Sequence, residues 1–543
     1  MAGGGEEEES LLASYSAPPD RPQELRFWFQ FLFLDATFLF LQANGTFGHP
    51  QRRTRPGKPL SVVSKVCFAL GGMPYQMTNN VIGFFISIFL LEVAQIRPGY
   101  ASVILFGGRA WDAITDPLVG FLVSKTNTRW GKLRPWIIFS APFGVASYFF
   151  LWYVPGDFSE EARLGWYFLM YCLFEAALSC FHVPYTALTI YLSADPKERD
   201  SATAYRMFCE VLGVLLGSAI QGQIVAGIGG STEKDCNNPG ATVSPEARAD
   251  MEKAYLIGAG VMGGFYLVCA ATVFFGVKER KDVEGGSEEE EASFFQGLKL
   301  VFKHGPYVKL TMSFLFLSLA IQSVQGNFAL FCQHSLGLGD QFQNLIIALL
   351  GAAILCMPVW QWCLVKYGKK TALFLGTAVF IPTLFTLLYI PGNPYAVYPI
   401  TILGGVGISV AFLLPWSMLP DVVDDFTLKT GTRREAIFYS FYVFFTKFAA
   451  GISLGLSTLS LEAAGYVTGA CSQSDVVGFT LRMLVAPAPI VFIIISLLFL
   501  WSYPITEERR RHTKVALEHK RDKARGQGQP GALESSLEGS TKV

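Results

Sequence analysis

The chemistry of this chain is concentrated near residue 110, where an apolar stretch carries Gly108-Arg109-Ala110-Trp111-Asp112-Ala113-Ile114-Thr115-Asp116-Pro117. A charged side chain at the centre of a bilayer costs about 2.5 to 3.5 kcal/mol even on the mildest insertion scale, so Arg109, Asp112 and Asp116 facing lipid together would cost on the order of 8 kcal/mol. They must face protein or water instead. Asp112 lies three residues after Arg109 and four before Asp116, a spacing that projects all three from one face of a helix. Two carboxylates so placed, with hydroxyls beside them, supply the oxygen ligands that a hard cation such as sodium takes. The competing reading is a permanent structural network in which Arg109 and a second intramembrane cation, Lys447, neutralise the two acids.

The elements that hold these residues are membrane helices. The 543 residues are 51% hydrophobic and 14% aromatic but only 16% charged, where soluble domains carry about 25%, and the mean hydropathy is +0.37. Apolar runs long enough to span a bilayer begin near residues 64, 98, 134, 165, 200, 253, 308, 341, 370, 395, 434 and 478. The expected fold is an all-α membrane protein of twelve spans, with the charged motif on the second. Basic residues follow the even-numbered runs: Lys125, Arg129, Lys132 and Arg134 after the second, Lys278, Arg280 and Lys281 after the sixth, and Arg509 to Arg511 after the twelfth. The positive-inside rule then puts both termini in the cytoplasm.

Internal echoes divide the spans into two six-helix halves. Gly131-Lys132 recurs as Gly368-Lys369-Lys370, and Pro184-Tyr185-Thr186-Ala187-Leu188 matches Pro415-Trp416-Ser417-Met418-Leu419 at nearly the same offset, as in carriers built from repeated bundles around a central site. The expected organisation is a cytoplasmic N-terminal extension over 1–57, a first half over 58–277, a cytoplasmic linker over 278–305 with a surface helix near 294–303, a second half over 306–503 and a disordered cytoplasmic tail over 504–543. The Phe-rich run over 25–42 is interrupted by Arg26, Gln30 and Asp35 and reads as a non-spanning part of the extension. The sequon Asn44-Gly45-Thr46 would then stay unmodified. No cleavable signal is expected, because the N-terminus lacks a basic n-region, so the first span would direct entry at the endoplasmic reticulum.

Several classes are excluded. Net charge is zero with the basic residues clustered between apolar runs, which gives no nucleic-acid surface. An enzyme is not expected, since no paired nucleophile and base, phosphate-binding glycine loop or Cys and His metal cluster stands out. Of ten cysteines, only Cys236 and Cys471 fall in polar loops. Both loops come out extracellular, on the oxidising side, so a Cys236 to Cys471 disulfide linking the two halves is expected, with two free thiols as the alternative.

The pattern Arg-x-x-Asp-x-x-x-Asp-Pro, followed by Arg129-Trp130-Gly131-Lys132-Leu133-Arg134-Pro135-Trp136, resembles the cation-coupled sugar symporters related to melibiose permease, within the major facilitator superfamily. The resemblance implies that Asp112 and Asp116 are the main sodium ligands, that Ser179 sits at a helix-four hydroxyl position, and that Thr115 assists. It also implies that Lys447, in Tyr442-Val443-Phe444-Phe445-Thr446-Lys447, lies beside the acids and, with Arg109, acts as a charge switch when the ion is absent. The acids with which such carriers grip sugar hydroxyls are replaced here by Gln76 and His182, which argues against a sugar. Two longer stretches, Glu198-Arg199-Asp200-Ser201-Ala202-Thr203-Ala204-Tyr205-Arg206 and Leu414-Pro415-Trp416-Ser417-Met418-Leu419-Pro420-Asp421-Val422-Val423-Asp424-Asp425-Phe426, resemble the sodium-dependent lysophosphatidylcholine symporters of the same superfamily. That likeness runs from about residue 58 to 512. The neighbouring sphingosine 1-phosphate exporters lack the first acid of the pair, and this chain retains both.

The resemblance therefore implies a sodium-coupled symporter that imports lysophosphatidylcholine, including docosahexaenoyl-bearing lysolipids, across the plasma membrane by alternating access. Sodium would be the coupling ion, no cofactor would be bound, and the carrier would be a monomer in membrane lipid. A lysolipid requires an apolar cavity for one acyl chain and a few polar groups for its head. Arg206 is the candidate for the phosphate, through the fork geometry of its guanidinium, against an ion pair with Glu175 or Glu210. Gln325 stands where the lysolipid carriers have an acid and cannot offset choline as a carboxylate would; Glu175 is the candidate to compensate. Gln76 and His182 complete the expected substrate site, although His182 also fits as a core histidine. A sugar or other small-molecule cation symporter of the same fold and a non-transporting receptor are the alternatives.

Overall fold

The computed structural model describes residues 60–156, 158–193, 195–229, 243–280, 301–431 and 435–527. The N-terminal extension over 1–57, with its Phe-rich run and sequon, Cys236, most of the expected surface helix and the tail beyond 527 lie outside the described residues. Regular structure among those described is helical, apart from one isolated bridge between Thr128 and Gly131.

Helix α1 (Val62–Leu70) starts at Ser61, whose Oγ accepts the Ser64 amide at 3.2 Å, and so satisfies one of the amides a helix start leaves free. Gly71-Gly72 interrupts the run, and α2 (Met73–Ile88) restarts with Pro74 in its first turn and passes into a π-turn at Phe89–Val93. A Cβ on Gly71 would lie 2.5 Å from the Tyr185 ring; only glycine lets this corner rest on Tyr185. The chain continues through α3 (Pro98–Lys125), α4 (Arg134–Leu151), α5 (Glu160–Leu192), α6 (Pro196–Gly229) and α7 (Pro245–Gly276). Beyond the linker come α8 (Gly305–His334), α9 (Phe342–Tyr367), α10 (Lys369–Tyr389), α11 (Pro394–Thr430) and α12 (Glu435–Ala463). Helices α13 (Asp475–Val485) and α14 (Pro487–Trp501) form one rod broken at Ala486-Pro487, and α15 (Glu507–Gln527) follows.

Ten segments among the described residues are long and apolar enough to cross a membrane. The runs expected from residues 98 and 134 are helices too, α3 and α4, but neither is among the ten. Arg109, Asp112 and Asp116 dilute the apolar character of α3, and α4 has only 18 residues and opens on Arg134-Pro135-Trp136.

The fold places α3 in the middle, packed on α5 on one side and on α12 on the other. Small residues make both approaches close. A Cβ on Gly108 would fall 2.2 Å from the Tyr171 ring of α5, and one on Gly451 of α12 would fall 2.9 Å from the Arg109 Cβ. Without a hydrophobic drive between helices in lipid, such close backbone contact is what holds them together. Pairings of α3 with α12, α2 with α8 and α6 with α9 join the first seven helices to those after the linker.

At the start of α4, Gly131 has φ +116°, a conformation that favours glycine. Both oxygens of Glu279 then close on the backbone amides: Lys132 N donates at 2.7 Å, Leu133 N at 2.9 Å and Arg134 N at 2.7 Å. A carboxylate on a helix N-terminus meets both the free amides and the positive end of the dipole. Glu279→Ala leaves these amides unpaired and is expected to cost about 1–3 kcal/mol, read as a lower midpoint of thermal unfolding of the purified chain; an unchanged midpoint would contradict the capping role.

Candidate cation and substrate site

Three helices build the charged site. Helix α3 presents Asp112 and Asp116 one turn apart, α5 presents Ser179 and α12 presents Lys447. The Lys447 ammonium lies between the carboxylates, donating to Asp112 Oδ1 at 2.8 Å and Asp116 Oδ2 at 2.6 Å. Ser179 Oγ is 2.7 Å from Asp116 Oδ1 and 3.2 Å from Asp112 Oδ1. Thr115 Oγ1 is 3.1 Å from Ser179 Oγ and donates to the Asp112 carbonyl oxygen at 3.1 Å. One positive charge therefore sits in a ring of carboxylate and hydroxyl oxygens. That donor set suits a hard monovalent cation, for which the ammonium stands in. Asp112 is 3% exposed and Asp116 21%, so the ring opens on the Asp116 side.

Arg109 does not join the pair it precedes in sequence. Its Nη1 lies 3.3 Å from Glu175 Oε1, and the Glu175 side chain is 1% exposed. Neither Glu175 oxygen has a hydrogen-bond partner, and the nearby Tyr171 hydroxyl has none either. Burying such an ion pair is costly, and the Tyr171 hydroxyl, one turn earlier on the same helix, is the polar group beside the Glu175 carboxylate. The site thus holds two layers, Lys447 with Asp112 and Asp116, and Arg109 with Glu175.

Beside the ring is a central cavity of about 210 Å³. Tyr75, Phe314, Leu317, Ile321 and Tyr442 supply apolar wall, whereas Asn79, Gln322, Thr446, Arg109 and Lys447 bring polar groups to it. Of the residues expected to hold substrate, none lines this cavity. Arg206 pairs with Glu210 at 2.6 Å and lies 4.9 Å over the Tyr185 ring, so the structure gives it the ion pair and not a free guanidinium. His182 stacks on Tyr75 with ring centroids 3.7 Å apart. Gln325 Nε2 donates to Asn80 Oδ1 at 3.3 Å, across the α2 to α8 contact, and Gln76 is half-buried on α2. Arg109 and Lys447 apart, the polar residues that reach the cavity carry no motif in the sequence. Thr446 and Gln322 had a signal, being next to Lys447 and one turn before Gln325, but Tyr75 and Asn79 carry no mark in an apolar helix.

At one end of the helices a buried polar cluster ties α2 to α8 and to the loop after α12. At the π-turn, Glu92 meets His334 at 2.9 Å, and the Tyr466 hydroxyl donates to the same carboxylate. All three are buried, and they come from the end of α2, the end of α8 and the loop after α12. Nearby, Glu462 accepts from the Gly99 amide at 2.8 Å and the Gly455 carbonyl accepts from Ser102 Oγ at 2.8 Å.

Replacing the central cation tests the site. Lys447→Ala leaves two carboxylates facing each other, and breaking a buried pair costs about 3–5 kcal/mol. The variant is expected to unfold at lower temperature without sodium and to gain more from added sodium than the parent chain does. Equal gains in both proteins would contradict competition between lysine and ion.

The chain can be set beside known proteins. Residues 67–507 match the profile of a family described as "MFS/sugar transport protein". The sodium-dependent lysophosphatidylcholine symporter 1-B of Danio rerio is 52% identical, with 85% of this chain and 91% of that protein covered. The sphingosine-1-phosphate transporter MFSD2B of Xenopus tropicalis is 47% identical, with 86% of this chain and 92% of that protein covered. Among solved structures, the nucleoside transporter NupG superposes with a TM-score of 0.57 at 12% identity, covering 82% of this chain and 100% of the other, a likeness of fold. The chain belongs to the MFS/sugar transport protein family of membrane transporters.

Proposed function

We propose that this chain is a sodium-coupled symporter that imports lysophosphatidylcholine, docosahexaenoyl-bearing species among them, by alternating access. The observation that carries this reading is the Lys447 ammonium held between Asp112 and Asp116 with Ser179 and Thr115 alongside. Sodium and lysine compete for the same oxygens. When the ion takes the carboxylates, the released ammonium is left at the wall of the central cavity, which it already lines together with Arg109. Ion binding thereby adds positive charge where the phosphate of a lysolipid head would sit, and a charge-assisted contact to phosphate is among the stronger polar interactions. The aromatic wall of Tyr75, Phe314 and Tyr442 suits the first part of an acyl chain and the choline cation.

In this reading twelve helical rods span the plasma membrane in a monomer. The halves are 58–277 and 306–503, and both termini are cytoplasmic. The end tied by Glu92, His334 and Tyr466 is then extracellular, so the cavity faces inward here. A positive ion moving inward with a zwitterion gains about 2.3 kcal/mol per 100 mV of membrane potential. Cys236 and Cys471 would pair across that end; the other eight cysteines are free, and Val243, just past the Cys236 loop, donates its amide to the Gly469 carbonyl at 3.0 Å. A second reading, export of sphingosine 1-phosphate, is favoured by the 47% identity to a transporter of that lipid.

Uptake of labelled lysophosphatidylcholine by cells expressing the chain is expected to be strong in sodium and to collapse when choline replaces it. Asp112→Ala and Asp116→Ala are expected to abolish the sodium-dependent part with surface expression intact; uptake unaffected by both changes would remove the coupling site. Release of labelled sphingosine 1-phosphate without lysolipid uptake would favour the second reading. Peptide mapping without reductant is expected to recover Cys236 and Cys471 in one cross-linked species, and finding both thiols alkylated would exclude the disulfide.

A further inference from the structure

The two echoes of the glycine and lysine corner are built alike but finished differently. Gly131 precedes α4 with φ +116°, and Gly368 precedes α10 with φ +87°. At the first corner, Glu279 places its carboxylate on three backbone amides. At the second, Glu507 lies beside the glycine, its Oε2 3.8 Å from where a Cβ on Gly368 would stand, and its carboxylate turns instead to Arg510 Nη1, at 2.7 and 2.9 Å. The N-cap of α10 is Gly368, which has no side chain to cap it, and among the described residues no side chain takes the place that Glu279 holds at the first corner. Where the cap would sit there is a cavity of about 340 Å³, bordered by Lys369, Lys370 and Thr371 of the first turn of α10, by Tyr503 and by Arg510. Tyr503 is 3% exposed and its hydroxyl has no hydrogen-bond partner. The Lys370 ammonium rests on backbone carbonyl oxygens, those of Trp501 at 2.9 Å and Tyr503 at 3.3 Å, and among the described residues no carboxylate pairs with it.

We propose that this cavity is an anion site that takes a phosphate group, from free phosphate or from the head of a phosphorylated inositol lipid. Three features converge on that chemistry. The free amides and positive dipole end of a 21-residue helix attract an anion, as the carboxylate at the matching first corner demonstrates within the same molecule. Lys370 and Arg510 border the space, and the Tyr503 hydroxyl lacks an acceptor. The acids present do not cancel this field. Asp421 is held by Lys369 at 2.6 Å and by Arg510 at 3.4 Å, and Glu507 is the group that a phosphate would displace from Arg510. The site is separate from the central cavity, and in the topology proposed above it faces the cytoplasm, where anionic lipid heads are found.

The test uses the full-length purified chain. Thermal unfolding is followed against inorganic phosphate in detergent, and in phosphatidylcholine nanodiscs with or without phosphatidylinositol 4-phosphate. Phosphate is expected to stabilise the parent chain with saturation. Lys370→Gln is expected to weaken the apparent affinity about tenfold, equivalent to about 1.4 kcal/mol, and Tyr503→Phe, which keeps the ring and its packing, a few-fold. Glu507→Gln is expected to tighten binding by removing the rival carboxylate, whereas Lys132→Gln at the first corner is expected to leave it unchanged. Stabilisation by both probes supports a site for the phosphate group itself, and stabilisation by the lipid alone, lost in the same variants, assigns it to the lipid head. Stabilisation by neither probe, or equal stabilisation of the parent, Lys370→Gln and Tyr503→Phe chains, would overturn the proposal.

Discussion

Everything central in this molecule depends on keeping charge neutral where water is scarce. Asp112, Asp116 and Lys447 meet among helices that are otherwise apolar, and an unpaired ion in such a place costs several kcal/mol. The pair of acids needs a positive partner at all times. In this structure the partner is an ammonium on α12, and a hard cation in the same oxygens would satisfy the same need. Only one of the two can be there, and that exclusivity can turn ion binding into a change elsewhere in the molecule.

The backbone is arranged to make that competition tight. Helix α3 lies close enough to α5 and α12 for Ser179 and Lys447 to reach the same two carboxylates, because Gly108 and Gly451 leave no side chain in the way. The opening and closing of the carrier can then be read from which helix ends touch. At one end, the buried cluster of Glu92, His334 and Tyr466 ties the π-turn after α2 to the end of α8 and the loop after α12. Around the ring, α3 and α12 touch through Gly451, Gly455 and the Phe106 and Phe448 rings as well as through the charged groups. A rocking motion that separates α3 from α12 must break or exchange the Lys447 contacts, and in the proposed mechanism that exchange would couple the ion to the motion without any covalent step.

The same need for partners at polar groups explains the corners. Helix starts leave amides without acceptors, and the first half answers with Glu279, while the second half leaves its corresponding amides beside a cavity and two basic side chains. Repeated architecture makes that difference visible, since each half serves as the reference for the other. The two halves share the backbone corner, set by glycines with positive φ, but not the side chain that completes it.

The sequence by itself determined the membrane class, the helical runs and the place of the charged motif, and the family resemblance pointed to the acids, hydroxyl and lysine that the structure brings together. Those properties are local: hydropathy over about 20 residues and the helical repeat fix them, and the cost of burying charge marks the residues that must have partners. Tertiary structure decided which partners they took. Arg109 went to Glu175 and not to the acids of its own helix, and Arg206 took Glu210, because a guanidinium in a low-dielectric interior pairs with the nearest carboxylate its helix rotation allows. It also decided that Tyr75, Asn79, Gln322 and Thr446 line the cavity in place of Gln76, His182 and Gln325, since which face of a membrane helix points inward is set by packing against neighbouring helices and not by its own composition.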